Sequence, residues 1–320
     1  MKNNGLVVAG IFSLVFLFFC ACSDGNITPA FLEITKEDMQ RATIDASSLS
    51  YLNLDSYQME AVKSHRFQDV RITLNNEDRG VYSLPCKIPL LGNGDANIGI
   101  IPVMRLNGTT YMMADYPFFF SFNTSVKLTP DKDTRLENTQ ITFKYDTLLR
   151  FPLLVTFESS TEFTRVDEDD LVYTDAEKGG RFKIVNDANK GKIGRIELTD
   201  EVSEFDLISS NIKFPSTSGD YILLEIDYRS DIEFSTLVKM TTSSYGDVST
   251  ALVNVLPSGN EWKKIYINLS PTINTYHKSG LLDYARIQLQ GSKLSEDADG
   301  NPIHNATVEM DNIKVVCSGY

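Results

Sequence analysis

Apolar residues recur at every second position along much of this chain, and this pattern constrains the fold more than any other feature. The clearest runs lie at residues 70–74, 141–145, 222–228, 265–269 and 287–289. Period-two alternation between Gly-, Asn-, Asp- and Ser-rich turns is typical of antiparallel strands with one buried face. A short helix is predicted only at residues 36–46, where Thr35 can cap it. The sequence therefore predicts an all-β fold.

The chain is long enough for two β domains, and a boundary is expected near residues 146–151. Residues 31–146 have the size of an immunoglobulin-like β sandwich. Residues 151–320 exceed that size and suit a jelly roll of about eight or nine strands. We find no repeat of fixed period.

The N-terminus has the features of an export signal. Lys2 precedes an apolar run of signal-peptide length, and Ala21 supplies the small residue before a cleavage site. The order of residues 19–22 resembles a bacterial lipobox, with Phe19 in place of the usual Leu. The resemblance implies a signal peptide at residues 1–21, lipid on Cys22 and a tether at 22–30. It places the protein on a bacterial outer membrane, at the cell surface or the periplasmic face. An uncleaved anchor helix is the alternative.

The charge of the chain excludes some partners. The formal net charge is −13, and removing residues 1–21, whose only charge is Lys2, makes it −14. No Lys/Arg-rich cluster is present in the sequence. An acidic chain of this kind is not expected to bind nucleic acid or an anionic lipid surface.

Two cysteines, Cys86 and Cys317, lie beyond the signal junction, each in a strand-like apolar run. A disulfide between them and two buried free thiols are both open interpretations in an oxidising compartment. Their spacing fits neither a CxxC pair nor a metal site.

The first half carries an ordered series of short motifs. It includes residues 67–75, 79–85, 88–91, 98–102 and 115–119. This series resembles the N-terminal half of an uncharacterised family of two-domain lipoproteins from Gram-negative gut commensals. The same residues predict a turn after residue 74 and an edge strand at Pro85 and Pro89. A cluster of aromatic residues either closes the end of the sandwich, packs on the second domain or forms a binding patch: Tyr116, Phe118, Phe119 and Phe120.

The second half resembles carbohydrate-binding-module-like and galactose-binding-like jelly rolls, on residues 151–158, 262–269, 285–289 and 308–316. The resemblance implies a structural calcium ion held by Glu158 and Asp311, with further oxygen ligands from the backbone. The alternative is that Glu158 ends its strand in solvent and Asp311 hydrogen-bonds a β-bulge. The alternation changes phase at Asp311-Asn312, which predicts that bulge.

Three aromatic residues are candidates for contact with a ligand. Trp262 either stacks on a sugar ring or covers the core, and Tyr245 and Tyr276 are placed among loop-forming residues. The acidic run at residues 167–170 is interpreted as a solvated loop. The three histidines are far apart and no catalytic motif is present, so no enzymatic activity is expected.

These observations favour a lipid-anchored, non-catalytic binding or accessory protein of the cell envelope, with a glycan as the ligand by analogy of fold. A structural lipoprotein that holds a β domain away from the membrane for assembly is the second hypothesis. A glycan-active hydrolase with unrecognised carboxylates is the third.

Overall fold

The computed structural model describes residues 28–136, 140–146, 148–158, 163–166, 172–173, 182–215 and 221–319. The predicted signal peptide, Cys22, most of the tether and the acidic run at 167–170 lie outside these ranges. Within them, no helix has the length and apolarity to cross a bilayer.

The N-terminal half is a β sandwich built from small sheets around one core. Its strands are β1 (Ala30–Ile34), β2 (Thr43–Asp45), β3 (Asp69–Leu74), β4 (Glu77–Ser83), β5 (Cys86–Leu90), β6 (Gly94–Arg105), β7 (Met113–Asp115), β8 (Phe119–Phe120), β9 (Phe122–Leu128), β10 (Asp133–Arg135) and β11 (Thr142–Tyr145). The sheets have the orders β10-β1-β5, β2-β11-β8 and β4-β3-β6-β7, with β9 also paired to β6. The pairs β1–β10 and β2–β11 are parallel.

The C-terminal half is a sandwich of two antiparallel sheets. Its strands are β12 (Leu149–Val155), β13 (Phe163–Val166), β14 (Val172–Tyr173), β15 (Lys183–Asp187), β16 (Gly191–Leu198), β17 (Glu204–Ser209), β18 (Ile222–Ser230), β19 (Phe234–Thr242), β20 (Gly246–Val255), β21 (Lys263–Asn268), β22 (Leu282–Ser292) and β23 (Ala306–Ser318). Sheet I has the order β15-β16-β23-β18-β21, with β12 paired to β23, and sheet II has the order β14-β13-β17-β22-β19-β20. The predicted fold class, an all-β chain with an immunoglobulin-like and a jelly-roll-like sandwich, is confirmed.

Short helices connect some of the strands: α1 (Lys36–Gln40), a 3₁₀ helix (Ser47–Leu52), α2 (Ser56–Lys63) and α3 (Ser270–His277). Thr35 caps α1 as predicted and forms a capping box with Asp38. The predicted extension of this helix to residue 46 is wrong, because Thr43 begins a strand that pairs with β11. Helix α2 was not predicted from the sequence, although Asp55 and Gln58 form its capping box.

Three local predictions are confirmed. Asn75 and Asn76 form the two-residue turn between β3 and β4, with φ of 52° and 69°. A two-residue hairpin with positive φ at both turn positions matches the twist of its strands. Pro89 lies on β5, which is an edge strand of its sheet. Asn312 has a φ of 48° where the pairing of β18 with β23 shifts register, so the predicted bulge is present.

The two sandwiches share a continuous apolar contact. The core of the N-terminal sandwich includes Leu223, Tyr266 and Val316, which lie on the outer face of sheet I. Tyr116 and Phe118 are buried, and the Tyr116 ring lies 6.2 Å from that of Tyr266. Packing on the second domain is therefore the role of this part of the aromatic cluster, while Phe120 is 54% exposed.

Both cysteines are free thiols. Cys317 is buried in the core of the C-terminal sandwich, and burial raises the pKa of its thiol to about 12. Cys86 is half-buried on β5, and burial also raises its pKa. The disulfide interpretation is not found in the structure.

Candidate functional site: a groove between the two sandwiches

Two adjoining cavities lie where the sandwiches meet, with volumes of about 450 Å³ and 790 Å³. They share four lining residues, Arg66, Gln68, Arg105 and Lys263. We call this continuous depression the groove. Arg66, Gln68 and Arg105 come from the N-terminal sandwich and Lys263 from the C-terminal one, so neither half forms the groove alone.

Alternation of side chains places Arg66 and Gln68 in the groove. They lie in the extended segment between α2 and β3 and are exposed, whereas Phe67 between them is buried at the wall of the groove. The Phe67 ring stacks on Tyr266, with centroids 5.5 Å apart. The Tyr266 hydroxyl accepts a hydrogen bond from the backbone N–H of Arg66 at 3.1 Å. These contacts fix the segment against sheet I.

A buried ion pair forms part of the groove wall. Asp69 is fully buried and accepts from Nε and Nη2 of Arg105 at 2.6 Å and 2.9 Å. The Ser83 hydroxyl donates to the same carboxylate at 2.5 Å. The hydrogen bonds that Arg105 donates to Asp69 raise the pKa of its guanidinium. Both charges are therefore committed to each other and hold the end of β6 in place.

Three other cations lining the groove have no acidic partner in the described part of the chain. They are Lys36 at the start of α1, Arg66 and Lys263 at the start of β21. Glu261 is the exposed carboxylate among the lining residues. His65 also lines the groove, and burial lowers its pKa, so its ring is neutral near pH 7.

Trp262 lies in the groove wall immediately before β21 and is half-buried. Trp262 belongs to neither apolar core of the described residues. Of its two predicted roles, covering the core is therefore not found in the structure. Lys190 Nζ lies 4.7 Å from its ring and the Arg229 guanidinium 5.0 Å. These cation–π contacts fix the indole at the rim of sheet I.

Tyr245 and Tyr276 lie elsewhere. Their rings meet edge to face at 6.4 Å, and Tyr245 is 69% exposed at the β19–β20 turn. Tyr276 is on α3, which follows the end of β21, whereas Trp262 precedes its start. Six residues of strand span roughly 20 Å. The three candidate ligand residues therefore fall at two separate places.

Glu158 and Asp311 line one small cavity of about 250 Å³, as the calcium prediction requires. Lys190 Nζ lies in the same region, 3.2 Å from Asp311 and 2.7 Å from Asp227. Glu158 accepts from the backbone N–H of Lys192 at 2.8 Å. Across the described ranges, no group of three or more His, Cys, Asp or Glu side chains is arranged to hold a metal ion. The structural calcium stays a prediction.

Chelation tests this prediction directly. We expect EDTA to leave the melting temperature of the protein unchanged, because the Lys190 ammonium already pairs with Asp311 and Asp227. An ion bound only by the native state stabilises it, and its removal lowers the melting temperature. A fall in EDTA that added Ca²⁺ reverses would contradict our expectation and assign the ion to Glu158 and Asp311.

The buried carboxylate of Asp311 is expected to lower the free energy of unfolding near neutral pH. Burial raises the pKa of its carboxyl to about 6 from 3.8; the Lys190 ammonium opposes this rise and the Asp227 carboxylate adds to it. The folded state thus binds this proton more tightly than the unfolded state does. The free energy of unfolding therefore falls as the pH rises from 3.8 to about 6. We expect Asp311→Asn to be more stable than wild type at pH 7.5 by about 1–2 kcal/mol.

The same comparison at about pH 3 should show almost no difference, because this pH lies well below 3.8 and Asp311 is then mostly protonated in the folded and the unfolded state. Exposed Asp283 gives the matched control, and Asp283→Asn should change stability by less than about 0.5 kcal/mol at either pH. Urea unfolding at the two pH values measures both. A lower stability of Asp311→Asn at pH 7.5 would contradict the proposed cost of the buried carboxylate.

Trp262 was a candidate from the sequence, but the groove around it was not predicted. Arg66 and Lys263 are nearly two hundred positions apart, and only the packing of the sandwiches brings them together. The sequence holds only a weak indication of the groove. Arg66 follows His65 and Lys263 follows Trp262, so each is a cation beside a ring in an acidic chain.

Comparisons with known proteins give similarity to solved structures only. No family model matches this chain, and no curated protein matches it. The tandem CBM22-1–CBM22-2 domain of Paenibacillus barcinonensis Xyn10C is similar with a TM-score of 0.35 and 7% identity, over 81% of each chain. The family 11 carbohydrate-binding module of Clostridium thermocellum has a TM-score of 0.29 and 15% identity, over 50% of this chain and 98% of that one.

The CBM22-1-GH10 modules of Clostridium thermocellum endo-1,4-beta-D-xylanase 10B, complexed with xylohexaose, have a TM-score of 0.33 and 9% identity. The similarity covers 52% of this chain, which spans 28% of that structure. Similarity at this level places the chain in none of these families.

Proposed function

We propose that this protein is a lipid-anchored, non-catalytic protein of the cell envelope that binds a glycan in the groove between its sandwiches. The observation that carries the proposal is the groove itself, which combines the half-buried indole of Trp262 with exposed Arg66 and Gln68. Ligand sites of this kind pair an apolar aromatic surface with a few fixed polar groups. Trp262 and Arg105 are held in place by neighbouring ions, so the wall is formed before a ligand arrives.

The lack of catalysis is proposed from the carboxylates of the groove. Glycoside hydrolysis uses two carboxyl groups on opposite sides of the scissile bond. Asp69 is fully buried against Arg105 and Ser83, and Glu261 is exposed. This arrangement supports binding over the hydrolase alternative.

Anchoring is proposed on Cys22, by the lipobox of the sequence. Several acyl chains together hold a protein on a bilayer far more firmly than one chain. We expect the full-length protein expressed in a Gram-negative host to incorporate labelled palmitate and to sediment with membranes. Cys22→Ala should abolish both, and unchanged labelling of this variant would contradict lipidation at Cys22.

A glycan array with the chain from residue 30, where β1 begins, tests the binding proposal. We expect bound glycans to be lost in Trp262→Ala and retained in Tyr245→Ala, provided that circular dichroism shows both variants folded. The reverse result would place the sugar at the Tyr245–Tyr276 pair instead. An array with no bound glycan would contradict the proposal.

One observation favours the assembly hypothesis as a second candidate. Three consecutive side chains at the end of the β6–β7 loop and the start of β7 are exposed: Tyr111 by 83%, Met112 by 40% and Met113 by 39%. Contiguous exposed apolar side chains are typical of contact surfaces between proteins. A photo-crosslinking residue at position 111 in living cells should then capture one defined envelope protein.

A further inference from the structure

We propose that the groove takes an anionic glycan, one that carries carboxylate or sulfate groups, in preference to a neutral one. This inference rests on the proposed glycan-binding function and names the ligand class of the same site. The observation behind it is a reversal of charge: the chain has 43 acidic and 30 basic residues, yet among the charged residues that line the groove Lys and Arg outnumber Asp and Glu.

The pairing of these cations decides which of them can meet a ligand. Arg105 is bound to Asp69, and Lys264 is bound to Asp227 at 2.8 Å with its side chain 1% exposed. Three groove cations remain without an acidic partner among the described residues, and they face one exposed carboxylate, Glu261. They are Lys36, Arg66 and Lys263.

The remaining charge of the protein does not cancel this local excess. At physiological ionic strength, interactions between exposed charges are largely screened beyond about 8 Å. A carboxylate or sulfate seated in the groove therefore interacts mainly with Arg66, Lys263 and Lys36.

Arg66 and Lys263 are also suited to the two kinds of anionic group. The guanidinium binds planar carboxylates through two parallel hydrogen bonds, while the ammonium acts as a point charge for either group. Both residues line both cavities. Lys263 follows Trp262 in the sequence, and Arg66 comes from the other sandwich. A sugar ring near the indole can thus present its charged substituent to them.

Matched polymers test the inference with the full-length protein purified in detergent. Dextran and dextran sulfate differ only in sulfate, and polygalacturonate and its fully methylated ester differ only in free carboxylate. We expect the charged polymer of at least one pair to bind at least tenfold more tightly than its neutral counterpart, as measured by calorimetry. The pair that shows this difference identifies the anionic group. Raising NaCl from 50 to 300 mM should weaken this binding severalfold, because contacts between exposed charges are screened by salt.

Charge-matched variants separate the groove from general attraction. Arg66→Gln combined with Lys263→Gln should reduce affinity for the charged polymer by about 10-fold or more. Lys132→Gln combined with Lys213→Gln removes two exposed cations outside the groove and should leave the affinity unchanged. Equal loss in both variants, or equal binding of the neutral polymers, would overturn the anionic inference and leave glycan binding standing. Failure to bind any polymer, together with an empty glycan array, would overturn the proposed function itself.

Discussion

Lys314→Met is expected to lower the free energy of unfolding by about 3–5 kcal/mol, because it breaks a buried ion pair and leaves the other charge in place. Lys314 is 1% exposed, and its Nζ lies 3.2 Å from Glu225 Oε2. The same ammonium donates to the carbonyl oxygens of Ala61, Val62 and Ser64 at the end of α2, at 3.2–3.3 Å. Methionine fills a similar volume but satisfies none of these acceptors.

The surroundings of Glu225 limit how far the structure can adapt. The Tyr116 hydroxyl donates to Glu225 at 2.7 Å and Lys264 lies 3.7 Å away, so a single buried cation would remain near this carboxylate. Burial lowers the pKa of Lys314 to about 8 even though Glu225 opposes this, so the ammonium is charged at pH 7. Combining Lys314→Met with Glu225→Gln should recover part of the loss, because the uncompensated carboxylate is then gone.

Urea unfolding at pH 7 measures these effects. Exposed Lys213 provides the control, and Lys213→Met should change stability by less than about 0.5 kcal/mol. A loss below about 1 kcal/mol for Lys314→Met, or a double variant less stable than the single one, would contradict the role of this ion pair.

Tyr266→Ala is the second large effect, with an expected loss of about 3–5 kcal/mol. The ring is buried, stacks on Phe67 and meets Tyr116 edge to face, and so it joins sheet I to the N-terminal core. Its removal leaves a cavity between the two sandwiches. Tyr266→Phe removes only the hydroxyl that accepts from Arg66 N–H and should cost about 1 kcal/mol.

Because the apolar core of the N-terminal sandwich continues onto sheet I, both halves should unfold in one transition. Fluorescence of Trp262 reports on the C-terminal sandwich, and amide hydrogen exchange of β3 and β6 reports on the N-terminal one. We expect both signals to shift together in Tyr266→Ala. Two separate transitions in the wild type would contradict a shared core.

Several structural elements could be predicted from the sequence because they depend on neighbouring residues. The alternation at 222–228 gives β18, the phase change at Asp311-Asn312 gives the bulge of β23, and the Asn75-Asn76 pair gives a hairpin turn. In each case the backbone conformation is set within a few positions. The helix beginning at Lys36 was predicted from its cap, but its end was wrong because strand pairing with distant Thr142 overrides local propensity.

The alternation of the strands already places Glu225, Asp227, Lys264 and Lys314 on the face of sheet I opposite to its core, together with apolar Leu223, Tyr266 and Val316. What covers that face could not be predicted from the alternation and is seen only in the packing of the two sandwiches. The N-terminal sandwich covers Glu225, Lys264 and Lys314, turning charged residues into a buried ionic network, and its edge leaves the groove beside Trp262. Alternation reports which side chains share a face, whereas the partner of that face depends on contacts between residues far apart in the chain.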